Sequence, residues 1–132
     1  MSEILVVGSL AYDSISSPEG KVDRTLGGSA NYFSLAAHHF APVRVVGVVG
    51  SDYGDADLQM LKSRNVDTDG LQVVEGKTFH WEGQYEGDMN EAITLNTELN
   101  VFEHFSPKIP DHYRDSSFAF LANIDPCLLY TS

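Results

Sequence analysis

The chain has one cysteine, Cys127, among 132 residues. No intrachain disulfide can form, and a reducing cytoplasm is the expected location. No apolar run approaches the roughly 20 residues that span a bilayer. The start, Met1-Ser2-Glu3-Ile4-Leu5-Val6-Val7-Gly8, lacks the basic segment that opens a signal peptide. Positive charge is scarce: 8 Lys and Arg stand against 19 Asp and Glu, a formal net charge of −11. Such a surface repels a phosphate backbone and argues against DNA or RNA as partner, and no membrane partner is expected. It still allows one small phosphorylated ligand, held locally by a helix N-terminus and a metal ion. There is no GxGxxG or Walker pattern, so no dinucleotide or P-loop site is expected. His38 and His39 are adjacent, and His80, His104 and His112 lack metal-ligand spacing. No metal site is expected from them.

What is present is a globular balance, 42% hydrophobic and 20% charged residues, in a length that suits one domain. Ile4-Leu5-Val6-Val7 is a continuous apolar run ending at Gly8, as in a strand buried on both faces of a parallel sheet. Ser14 to Thr25, with Pro18 and Gly20, reads as a hairpin or loop excursion. A helical pattern opens at Gly27-Gly28-Ser29, with Ala30, Phe33, Ala37 and Phe40 on one face, and Pro42 stops it. Val43 to Gly50 is a second buried strand, completing a right-handed βαβ unit. Tyr53 to Arg64 predicts a second helix, with Leu58 and Leu61 facing the sheet and Asn65 as its left-handed stop. Asp67-Thr68-Asp69-Gly70 reads as a turn.

The period then changes. Phe79, Trp81, Gly83 and Tyr85 alternate with polar residues, and Ile93, Leu95, Thr97, Leu99 and Val101 do so again after a turn at 86–90. Two amphipathic strands point to a small antiparallel sheet beside the α/β core. Asp88, Glu91 and Glu98 are expected as exposed charges on its edge. Phe118 to Ala122 returns as a buried strand.

Three segments carry candidate chemistry. Asp13 follows the first strand, and ligands of open α/β sheets bind at the carboxyl ends of strands. A carboxylate there can accept hydrogen bonds from two neighbouring hydroxyls; by itself it reads better as a turn cap. Gly27-Gly28-Ser29-Ala30-Asn31 lets backbone N–H groups approach a ligand at a helix start, with Asn31 offering a donor and an acceptor. Gly47-Val48-Val49-Gly50-Ser51-Asp52-Tyr53-Gly54-Asp55 is a second strand-to-helix turn, in which Ser51 or Asp52 is the expected helix cap.

Together these segments resemble the PfkB, or ribokinase-like, family of carbohydrate and nucleoside kinases. Asp13 after the first strand, Gly27-Gly28 with Asn31, Gly47-x-x-Gly50-x-Asp52 and Val66-Asp67-Thr68 occur in that family's order, up to about Asp125. The resemblance implies an α/β, doubly wound ribokinase-like core, here incomplete, with a small β-sheet lid over the substrate, formed by strands at about 68–104. It implies transfer of the γ-phosphoryl of ATP, with Mg2+, to a hydroxyl of a sugar or nucleoside. Asp13 would bind substrate hydroxyls, and Gly27, Gly28 and Asn31 would form the floor. Phe79, Trp81 and Tyr85 are lid candidates, covering substrate or meeting a second lid in a homodimer. Ala11 stands where ribokinase itself has asparagine, so the likeness does not extend to ribose specificity.

The family's asparagine–glutamate metal motif and its Gly-Ala-Gly-Asp signature, whose aspartate is the general base, do not occur in these residues. The chain is therefore expected to be an N-terminal, substrate-binding portion (residues 1–126), with no catalytic base, no tight ATP or Mg2+ binding and no useful turnover alone. Cys127-Leu128-Leu129-Tyr130-Thr131-Ser132 reads as a non-native tail. Two other classes stay open: a non-catalytic module that binds a polyol or associates through its lid, and an α/β domain with no small-molecule site.

Overall fold

A computed structural model describes residues 3–86 and 92–122. The tail from Cys127, and Asp88 and Glu91 of the expected lid edge, lie outside the described residues.

Two four-stranded sheets form the molecule. The core sheet is wholly parallel, in the order β5 (Val66–Val74), β4 (Val43–Gly50), β1 (Ile4–Val7), β8 (Phe118–Leu121). Its central strands are the two continuous apolar runs, as burial on both faces requires. On one face, Val6, Val43, Val45 and Val49 pack with Ala30 and Ala37 of α1 (Ser29–Ala37) and Leu61 of α2 (Asp55–Ser63). On the other, Leu5, Val7, Val46 and Val48 meet Phe105 and Tyr113, carried by or beside the 3-10 turns Asn100–His104 and Asp111–Tyr113. The mixed α/β architecture with a small second sheet is the one expected.

Helix details differ in informative ways. Asn65 ends α2 with φ 61°, the left-handed stop its side chain tolerates. Phe40 lies beyond the end of α1 and is 88% exposed, so the apolar stripe stops at Ala37. Residues 67–70 are not a turn but the start of β5. Tyr113, fully buried beneath them, accepts a hydrogen bond from the Gly70 N–H (3.0 Å) and donates to the Asp67 carboxylate (2.7 Å). A distant side chain thus satisfies polar groups that would otherwise favour a local turn.

The lid sheet runs β3 (Gly20–Gly27), β2 (Ala11–Ser17), β6 (Phe79–Tyr85), β7 (Ala92–Glu98). Of the two alternatives for the polar stretch 14–25, the structure takes the hairpin, β2–β3, which builds half of the lid. β5 belongs to the core sheet, so of the strands expected at about 68–104 those in the second sheet, among the described residues, are β6 and β7, and residues 100–104 are a 3-10 turn. The sheet is also mixed, because β2 and β6 run parallel while the outer pairs are antiparallel.

Candidate functional site

Asp13 lies within β2, not past the end of β1, and the hairpin aims it at the bend that starts α1. Gly27 is two register positions from it on β3, opposite Ala11. A Cβ on Gly27 would overlap the Asp13 carboxyl group. Glycine at this position is what lets the carboxylate rest on the backbone. Gly28 follows with φ 90° and ψ 146°, a conformation reserved for glycine, and a Cβ there would stand 2.5 Å from the Ser9 carbonyl oxygen.

The bend is tied to the end of β1 through Ser9. Its hydroxyl accepts from the Ser29 N–H (3.0 Å), and its carbonyl accepts from the Ala30 N–H (2.9 Å). Those first helical N–H groups are therefore occupied within the protein. Asn31 supports the bend from beneath: its amide nitrogen donates to the Gly27 carbonyl at 2.7 Å, and the residue is 1% exposed. The Asn31 side chain sits against the buried Tyr53 phenol and partly offsets the upward push that burial gives that group. It does so without a well-formed hydrogen bond, which leaves Asn31 Oδ1 and the Tyr53 hydroxyl unpartnered among the described residues. The structure thus brings Asp13, Gly27, Gly28 and Asn31 into one neighbourhood, with Asn31 below the surface that Asp13 faces.

Partial burial raises the Asp13 carboxyl above the usual carboxylate range, and the nearby His80 partly opposes this. A half-desolvated carboxylate makes stronger hydrogen bonds to hydroxyl donors than one in bulk water. Aromatic residues share its side of the lid. Trp81 is its register partner on β6, so both side chains leave the same face of the lid. The indole lies across Gly83, where a Cβ would strike the ring, and its Nε1 donates to Thr94 Oγ1 at 3.2 Å. Tyr32, in the first turn of α1, and Tyr85 join this group: both burial and the charge of Asp13 raise the Tyr32 phenol, and Tyr85 adds to the effect. Phe79 is engaged elsewhere, stacked on Phe102 with ring centroids 5.2 Å apart. Sequence reasoning did not single out Tyr32; its position one residue past Asn31, on the helical turn above the Gly-Gly bend, was the available signal.

Asp52 does not cap α2. The cap position is Gly54, with no side-chain hydrogen bond. The Asp52 carboxylate turns toward the lid instead, where Oδ1 accepts from both the N–H and the hydroxyl of Thr78 (2.8 and 2.7 Å). Folding also brings His112 beside Asp67 and Asp69, with Nε2 3.3 Å from the nearer carboxylate oxygen. All three are solvent-exposed to a large degree and form a surface ion-pair cluster.

Residues 1–103 match the pfkB family carbohydrate kinase profile. The chain belongs to that family. This PfkB-family chain is 29% identical over 128 residues to a cytidine kinase of Thermococcus kodakarensis, covering 96% of this chain and 45% of that protein. Its fold is that of a nucleoside kinase from Methanocaldococcus jannaschii, an archaeal member of the ribokinase family (TM-score 0.75, 18% identity, 97% of this chain and 46% of that one). It also matches a ribokinase of Cryptococcus neoformans var. grubii serotype A solved with ADP (TM-score 0.72, 22% identity, 92% and 42%). The chain spans under half the length of each of these relatives.

Proposed function

We propose that this chain is the substrate-binding portion of an ATP-dependent kinase acting on a hydroxyl of a nucleoside. The observation that carries the reading is the placement of Asp13: a half-buried carboxylate resting on Gly27, paired with Trp81 across β2–β6 and close enough for its charge to act on Tyr32, with Tyr85 farther along the same face of β6. The carboxylate accepts the paired hydroxyls of a ribose, and the aromatic rings offer faces to a base, which a bare sugar would leave unused. Gly27 and Gly28 form the floor, and Asn31 holds its shape from beneath. The cytidine kinase and nucleoside kinase relatives support this substrate class. The lid would exclude water, which competes as phosphoryl acceptor. ATP and Mg2+ are required for the transfer, and no residue of this chain is assigned to hold them.

Trp81 is the single tryptophan, so intrinsic fluorescence reports on this site directly. Titration with cytidine, inosine or adenosine is expected to change Trp81 emission saturably, with ribose weaker and Asp13→Asn unresponsive. If no nucleoside perturbs Trp81, or if Asp13→Asn binds as wild type does, the reading is refuted. In a coupled assay with ATP and Mg2+ the chain alone should show no nucleoside-dependent turnover; turnover would overturn the assignment of catalysis to residues outside it.

A second reading, association through the lid, is favoured by β7. Its Ile93 and Leu95 are 49% and 52% exposed on the lid's outer strand. Sedimentation would show a dimer lost on Ile93→Lys if the lid is an interface between copies.

A further inference from the structure

The lid and the core are joined by a compact polar latch at the turn after β4. Asp52 stands at its centre. Oδ1 holds the backbone N–H and hydroxyl of Thr78, the residue just before lid strand β6. Oδ2 lies 3.5 Å from the guanidinium of Arg24 on lid strand β3, which also donates to the Asp52 carbonyl at 3.0 Å. That guanidinium lies over the ring of Tyr12 on β2, 4.4 Å from its centroid. Tyr12 in turn reaches the core: its hydroxyl donates to Asp57 of α2 (2.6 Å) and accepts from the Gly54 N–H (2.9 Å). Thr78, 2% exposed, completes the circuit by accepting from the Gly50 N–H at 2.9 Å. Three of the four lid strands are thereby referred to one carboxylate or its immediate neighbours.

We infer that Asp52 is a positioning residue that, through Thr78 and Arg24, sets the angle at which the lid sheet, which carries Asp13 and Trp81, stands against the bend that starts α1. The geometry distinguishes this from ordinary packing. Arg24, at φ 56°, lies in the β2–β3 bulge, where its N–H donates to Ser14 Oγ at 3.3 Å, and that local bend turns its side chain toward Asp52. The latch also borders a cavity of about 250 Å3, lined by Tyr12, Arg24, Asp52, Thr78 and His80, rather than a packed interior. That volume leaves room beside the latch for the lid to tilt. Thr78 adjoins β6, whose Trp81 pairs with Asp13 on β2, so a shift at the latch moves the indole and the carboxylate together relative to Tyr32 of α1.

The test has two arms. Amide hydrogen exchange without ligand compares lid residues 79–85 with core residues 43–49. Asp52→Ala is expected to speed lid exchange at least tenfold and leave the core within twofold. Thr78→Val, which removes only the hydroxyl, is expected to do the same more weakly, and Thr78→Ser to restore the wild-type rate. Equal acceleration of lid and core, no acceleration, or failure of Thr78→Ser to restore the rate would overturn the inference. If Asp52→Ala does not fold, the two Thr78 variants decide it. The second arm rests on the proposed function: nucleoside affinity by Trp81 fluorescence should fall with Asp52→Ala and Thr78→Val and recover with Thr78→Ser. The exchange arm needs no ligand, so the latch can stand where the nucleoside reading fails.

Discussion

Replacing Gly27 and Gly28 singly by alanine separates the two tasks of the bend. At Gly27 the added methyl would overlap the carboxyl end of Asp13, a mobile side-chain terminus, and the backbone there is not left-handed. The carboxylate can swing away, so Gly27→Ala should cost less than about 1 kcal/mol of stability. The displaced carboxylate no longer rests where ligand hydroxyls meet it. Loss of one charge-assisted hydrogen bond, about 1.5–3 kcal/mol, corresponds to roughly 10- to 150-fold weaker nucleoside binding. At Gly28 the methyl meets the Ser9 carbonyl at 2.5 Å, which is backbone and cannot turn aside, and φ 90° is itself forbidden to alanine. Gly28→Ala should therefore cost about 1–3 kcal/mol from the conformation, with the clash added. The assays are urea denaturation for stability and Trp81 fluorescence for binding. Wild-type affinity in a folded Gly27→Ala chain would refute the role given to the Asp13 carboxylate. Equal destabilisation by both variants would refute the distinction between side-chain and backbone contact.

Asp13→Asn tests the same carboxylate through pH. Burial raises its pKa on folding, so the stability it contributes is complete below the unfolded value, about 3.9, and is lost as pH rises through the higher folded value. Asp13→Asn should thus melt above wild type at pH 7 and converge with it near pH 3, while losing nucleoside binding; a lower melting temperature at pH 7 would contradict the burial argument. Tyr113→Phe removes the hydroxyl that serves Gly70 and Asp67. Leaving the buried Gly70 N–H unpaired should cost about 1–3 kcal/mol in urea denaturation, and a neutral result would mean that another group satisfies it.

The two valine-rich runs, the helix that follows Gly28 and the left-handed Asn65 were legible in the sequence because each rests on local chemistry: unbroken apolar composition, helical spacing, or one residue's tolerance of a special φ. The kinship itself was legible too, in the order of Asp13, Gly27-Gly28 and Asp52. Only the tertiary structure decided what the polar segments do. Residues 14–25 read equally as a hairpin or a loop, and they pair as half of a lid where β6 supplies a parallel neighbour for β2. Residues 67–70 carry turn composition, yet Tyr113, more than 40 positions away, satisfies them as strand. Asp52 reads as a helix cap, yet Thr78 and Arg24 draw its carboxylate across to the lid. In each case a distant partner decided the outcome, even where a local bond persists, as from the Asp69 N–H to the Asp67 carboxylate (2.9 Å). That choice is invisible in a sequence, because a buried hydrogen bond depends on which chain segments meet and not on the residues beside it.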